Sequence, residues 1–193
     1  MKMNVHFESK AKISFLLLIV VCQLFNTSCT KHVYRESSFQ TVKSHSEERK
    51  LNEFMNSGTE KKINAHNVGA DEIILTAKKY LGVPHCMGGT TMKCIDCSGL
   101  VLSVFAKHGI NMPHSSEEQA KFGKIIPVKD KLIKGDLVFF VRSYRTSDLI
   151  THTGIYLGNN NFIHTSTKKG VTITSLSDPW WKEKFIFGTR VLE

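Results

Sequence analysis

The sequence holds only four prolines in 193 residues, with no internal repeat and no low-complexity tract. It also lacks any apolar run near the roughly 20 residues that cross a bilayer as a helix. Those absences exclude a repeat array, a Pro-rich chain and an ordinary spanning segment. Two further absences concern its cysteines. No second cysteine pair stands at the ligand spacing of a zinc finger, and no βαβ pattern surrounds Cys94-x-x-Cys97, where a thioredoxin-type dithiol would belong. These spacings point to neither a metal site nor a redox dithiol. What remains is ordinary globular material, 41% hydrophobic, enough for one domain with appendages.

The N-terminus carries Lys2, Lys10 and Lys12, followed by the 13-residue apolar run "ISFLLLIVVCQLF". This is the length of a signal-peptide core. In "NTSCTK", Ser28 precedes Cys29 and polar residues follow, the arrangement of bacterial lipoprotein signal peptides, with Asn26 where that box usually has Leu. The expectation is cleavage after residue 28 and lipidation of Cys29; Cys22 is disfavoured by the bulky Val20 and Val21. Such a chain belongs in the bacterial cell envelope, anchored in the outer membrane and facing the periplasm. Residues 1–28 hold three lysines and one glutamate, so the formal charge falls from +9 to +7 without them. That excess suits anionic partners. No nucleic-acid motif accompanies it, and nucleic acid is not expected to be one of them.

Residues 29–68 are polar and mixed in charge, without a sustained apolar period, so they read as a flexible tether. Within them "SEERKLNEFMNS" can form a transient helix. The folded domain is expected over 69–193. "DEIILTAKKYLG" puts Ile73, Ile74, Ala77, Tyr80 and Leu81 on one helical face and stops at Gly82. A second helix follows Asp96 as N-cap and ends near Gly109; a third starts at Ser115, which forms a capping box with Glu118. Beyond Gly123 the texture turns to β, in "GDLVFFV", "HTGIYLG", "NFIHTS", "GVTITSL" and "FIFGTRVL", with Asn159–Asn160 as a hairpin turn. Helices followed by strands imply an α+β fold with an antiparallel sheet.

In "CMGGTTMKCIDCSGLVLSVF", Cys97 falls in the first turn of its helix, where unpaired N–H groups and the dipole favour thiolate and can hold an oxyanion. A nucleophile needs a base, and His152 and His164 flank one hairpin in the β half. A strict two-residue loop would put these histidines on opposite sheet faces; sharing a face requires a bulge or an odd loop. On local grounds Asp96 is a cap, Ser98 a helix-start residue, Gly88–Gly89 a turn, His108 and His114 surface or cap-region residues, and Trp180–Trp181 core or rim aromatics. Cys94 has three open states: bridged to Cys86, bridged to Cys97, or a free thiol.

The motifs "YLGVPHCMGGTTMKCIDCSGLV", "LIKGDLVFF", "HTGIYLGNNNFIHTSTKKGVTITSL" and "DPWW" resemble, in order and spacing over residues 72–192, the NlpC family of bacterial cell-wall cysteine endopeptidases. The resemblance implies a papain-like fold with N-terminal helices packed on a C-terminal antiparallel sheet. It implies Cys97 as nucleophile, His152 as its base and His164 as the group orienting that base, with Asp96, Ser98 and His85 on the oxyanion or substrate side. It further implies a monomeric enzyme that cleaves amide bonds in peptidoglycan stem peptides without metal or organic cofactor. Two positions depart from the family pattern: His85 replaces the usual Tyr and Cys94 a usual Gly. They motivate two other readings, a catalytically weak or inactive wall-binding lipoprotein and a thiol oxidoreductase.

Overall fold

The computed structural model describes residues 41–192. The expected signal peptide, Cys29 and the first part of the tether lie outside them. Five α-helices and six strands alternate unevenly along the described chain, helices first. Helix α1 spans His45–Asn56, α2 Ala70–Lys78, α3 Cys97–Ala106 and α4 Ser116–Gln119. Strands follow at Lys124–Ile126 (β1), Leu137–Phe140 (β2), His152–Gly158 (β3), Asn161–Ser166 (β4) and Gly170–Ser175 (β5). A short α5, Pro179–Lys182, precedes β6, Phe185–Arg190.

Local chemistry explains most of these ends. Asp96 accepts the Gly99 N–H and Ser115 the Glu118 N–H, the two caps expected from the sequence. Asp178 caps α5, whose first residue is proline, where a missing N–H is harmless. The chain leaves α3 through Gly109 at φ 74°, with Ile110 N–H returning to the Phe105 carbonyl.

All strand pairs are antiparallel, in the order β1-β6-β2-β3-β4-β5. Short β1 is the one strand that the sequence pattern misses, three residues being too few to show a period. The β3–β4 hairpin decides the site. Asn159 and Asn160 both take positive φ, 49° and 62°, and Gly158 pairs with Asn161, so the loop has two residues. A bulge at Leu157 then shifts the register, and Tyr156 pairs with Phe162 and Ile155 with Ile163. His164 therefore lies opposite Gly154, on the same face as His152. A Cβ on Gly154 would come within 2.8 Å of the Ile163 oxygen and 3.2 Å of the His164 Cβ, so only glycine leaves that ring its place.

That face also carries Val138, Phe140, Tyr156 and Phe162, closed by Leu176 and by the half-buried Trp181 and Phe185. On the opposite face the tilted rings of Phe139 and Phe187 meet at 5.7 Å, and Phe54 of α1 packs on Phe187 at 5.8 Å.

This last contact corrects the expected boundary. Residues 41–68 do not hang free: Leu51 and Phe54 are 3% and 4% exposed, Glu47 pairs with Arg142, and Thr41 Oγ1 donates to the Phe185 carbonyl. Farther along, Lys61 bridges to Phe122, and the Glu60 carboxylate accepts the Ile125 N–H. A polar segment docks here because two apolar side chains, one turn apart, meet a ready aromatic surface, which local composition does not reveal.

Phe54→Ala should therefore destabilise the domain by about 3 kcal/mol in urea unfolding, as expected for a buried phenylalanine. A free tether would show no shift in the unfolding midpoint.

Candidate active site

Helix α3 begins at Cys97, and its first turn is held by one buried carboxylate. Asp96 Oδ1 accepts the Gly99 N–H at 2.6 Å and the Ser98 hydroxyl at 3.0 Å, while Oδ2 accepts the Gly88 N–H at 2.8 Å. His114 Nε2 donates to both oxygens at 3.1 Å. With four donors on it, the carboxylate is turned into the fold. Ser98, 7% exposed and bonded to Asp96, is turned the same way, so neither side chain occupies the substrate-side position expected of it.

The loop before this cap is closed by a disulfide between Cys86 and Cys94, Cα atoms 5.4 Å apart, which settles the open pairing and leaves Cys97 as the free cysteine among the described residues. Inside the loop, Gly89 donates to the Cys86 carbonyl and accepts from the Asp96 N–H. A Cβ on Gly89 would meet Cys86 Sγ at 2.4 Å, and one on Gly99 would meet the Gly89 oxygen at 2.0 Å. Both glycines are thus required by close approach of the cross-linked loop to the helix start.

Cys97 is half-buried. Its thiol lies 3.6 Å from Ser116 Oγ of α4 and contacts the backbone of Thr153, the residue after His152. Thr165 of β4 donates to the Asp96 carbonyl, so the start of α3 is tied to both hairpin strands. Burial pushes the Cys97 thiol up, as does the Asp96 charge; hydrogen bonds from Ser116, Thr153 and Ser98 pull the other way and lose. The thiolate bias expected from the helix start is overridden by desolvation.

His152 Nε2 and His164 Nδ1 are 2.9 Å apart, and His164 Nε2 is 3.0 Å from Thr174 Oγ1. If His152 is to keep Nδ1 free for a proton, its Nε2–H donates to His164, and the His164 Nε2–H donates to Thr174. Trp181 lies against both rings with centroids 4.7 Å away. Burial holds His152 well below the ordinary imidazole range, with charge on His164 and His85 adding to the effect. Burial likewise takes His164 to about 3, opposed by Asp178. Both rings are neutral near pH 7, so the resting pair is thiol and imidazole.

His85 joins the group through its influence on His152, and its backbone bridges to Ile95 beside the cap. Three contributors escaped the sequence pattern: Ser116, His114 and Trp181. Ser116 and His114 lie in "PHSSEEQ", where the visible signal was a cap. The reach back to Cys97 and Asp96, 19 and 18 residues earlier, exists only in three dimensions.

A cysteine opening a helix, set against a sheet that presents a histidine and its ring partner, is the architecture of papain-like thiol hydrolases. The sequence model of the NlpC/P60 family matches residues 82–190, and the chain belongs to that family. It is 42% identical over 114 residues to the Escherichia coli K12 protein "Murein DD-endopeptidase MepS/Murein LD-carboxypeptidase", covering 58% of each chain. It is 41% identical over 131 residues to the Bacillus subtilis "Gamma-DL-glutamyl hydrolase", covering 63% of this chain and 31% of that one. Among solved structures, a Bacillus cereus NlpC/P60 family protein superposes with a TM-score of 0.59 at 34% identity, covering 65% of this chain and 41% of the other. The chain thus aligns with little more than half the length of the E. coli relative.

Two outcomes follow from this geometry. Alkylation of Cys97 by iodoacetamide should accelerate only as pH rises past the ordinary thiol range of about 8.5, because a raised pKa delays the thiolate. A rate already maximal at pH 6 would mean a thiolate–imidazolium pair instead. Replacing Cys86 and Cys94 together by serine should lower stability by about 2 kcal/mol, measured by thermal or urea unfolding, because the short cross-linked loop supports the Asp96 cap.

Proposed function

We propose that this protein is a cysteine endopeptidase hydrolysing amide bonds in peptidoglycan stem peptides, with Cys97 as nucleophile, His152 as base and His164 as the ring that orients it. The observation that carries this reading is the hydrogen-bonded His152–His164 pair on one sheet face, beside a free cysteine in the first turn of α3. Further support comes from membership in the family and from relatives named as murein and glutamyl hydrolases.

In this mechanism His152 Nδ1 takes the proton of Cys97 as the sulfur bonds to the substrate carbonyl carbon. The developing oxyanion faces N–H groups at the start of α3. The imidazolium then gives its proton to the leaving amine as the C–N bond breaks, and water hydrolyses the thioester to regenerate the thiol. Because the resting pair is neutral, proton transfer accompanies attack. His164 serves through geometry: it fixes the tautomer and ring plane of His152 without carrying a charge. The aromatic surround excludes water from the pair and strengthens every electrostatic contact inside.

The same reading places the enzyme in the bacterial envelope, held to the outer membrane through lipid on Cys29 and facing the periplasm. A Cys29→Ser protein should then leave the membrane fraction.

A wall-binding protein without turnover is the competing reading, favoured by the neutral His164, which offers the imidazolium no countercharge. Mass spectrometry of muropeptides decides between them. Wild-type protein should release cleaved peptides, while Cys97→Ala should lose at least about 10³-fold in rate with binding retained. Full cleavage by Cys97→Ala would overturn the assignment, and binding without cleavage by the wild type would establish the competitor.

A further inference from the structure

One cavity lies beside the catalytic pair and takes no part in the chemistry above. It measures about 380 Å³ and sits between α1 and the 141–151 connection that leads from β2 into His152. Its floor includes the buried Val141, Leu149 and Thr151, and Tyr144 stands on its wall. At the low end of ligand-pocket sizes, it suits a peptide end or side chain.

The connection that shapes it is held from both sides. Glu117 of α4 accepts the N–H groups of Leu149 and Ile150 at 2.7 and 3.0 Å, one residue from Ser116, which touches Cys97. Glu47 of α1 takes the Arg142 guanidinium through both oxygens, at 2.9 and 2.8 Å. Ser143 closes the base of the loop on Thr151, with its N–H and its hydroxyl both bonded there. The walls are therefore built before any ligand arrives.

Charge on the lining is unequally matched. Glu47 and Arg142 neutralise each other, and Arg142 also donates to the Glu183 carbonyl. Two cations and one acid remain: Lys50, Arg145 and Asp148. Lys50 donates to the Ser147 carbonyl, a neutral acceptor, and among the described residues Arg145 makes no ion pair or side-chain hydrogen bond. An exposed guanidinium over an apolar floor, next to a rigid wall, matches a carboxylate bidentately. Glu117 links this place to the nucleophile, since it holds Leu149 and Ile150 and follows Ser116, which touches the thiol; Tyr144 stands on the wall between. Its phenol is pushed up chiefly by burial, and the lining ends at Thr151, the residue before His152.

We propose that this cavity is a substrate subsite that receives a free carboxylate of the peptide being cleaved, with Arg145 and Lys50 as its cationic partners. The proposal rests on the peptidase reading for its choice of ligand. It also gives docked α1 a task, since a segment expected to be a tether supplies one wall of the subsite.

The test separates binding from turnover. Synthetic stem peptides, each carboxylate in turn left free or amidated, are titrated into Cys97→Ala protein by calorimetry, alone and with Arg145→Gln or Lys50→Gln added. One free carboxylate should bind about threefold to fivefold tighter than its amide, the worth of a partly exposed ion pair. Arg145→Gln should abolish that preference and leave the amide's affinity unchanged, and Lys50→Gln should reduce it, with melting temperatures unaltered by Arg145→Gln. An equal effect on acid and amide, no effect on either, or no preference in the parent protein would overturn the subsite. Turnover is read separately with Cys97 present. Intact peptides alongside retained discrimination would sink the peptidase reading alone, and cleavage without discrimination would sink the subsite alone.

Discussion

The buried carboxylate of Asp96 joins four parts of the molecule that are far apart in sequence. Its oxygens hold the Gly88 turn, the first turn of α3 and the ring of His114, while its backbone carbonyl takes the Thr165 hydroxyl of β4. A charge buried this deeply is tolerated only when donors surround it, and here the donors are supplied by the segments that must converge for Cys97 to meet the sheet. The disulfide loop belongs to the same device, since Gly89 both closes on Cys86 and receives the Asp96 N–H. Satisfying one anion thus fixes the start of the helix that carries the thiol, and the backbone carbonyl of the same residue ties that start to the sheet.

Burial around the two histidines runs the electrostatics in the opposite sense from the helix start. A helix N-terminus favours thiolate by at most a modest amount, and two rings packed against Phe140 (His152), Phe162 (His164) and Trp181 (both) resist protonation more strongly. The result is a neutral thiol beside two neutral, hydrogen-bonded rings. Trp181 therefore belongs to the site as its apolar cover, which a residue's mere position in "DPWW" would not disclose.

Much of the fold was legible because its signals are local. Asp96 and Ser115 announce helix starts through side chains that bond two or three residues ahead, Asn159–Asn160 announces a hairpin through its tolerance of positive φ, and the β runs announce strands through their composition. The site was legible in part: Cys97, His152 and His164 stood out by residue type and by family resemblance. Their geometry was not. The Leu157 bulge that returns His164 to the face of His152 carries no local mark, for a leucine bulges as readily as it pairs, and the need for it could be stated only as a condition. The boundary at residue 69 failed for a similar reason, because Leu51 and Phe54 are too few to suggest burial until the aromatic surface they meet is known.

The sequence by itself determined the helices-then-strands order, the caps at Asp96 and Ser115, the Asn159–Asn160 turn, the candidate residues and the positive charge, most of which depend on neighbours a few positions away. Only the tertiary structure decided that Cys86 pairs with Cys94, that α1 docks and walls a cavity, and that His114 and Ser116 reach the start of α3. It alone also decided that desolvation overrides the helix dipole at Cys97. These outcomes depend on distances between segments and on how completely water is excluded, quantities that exist only once the chain has closed on itself.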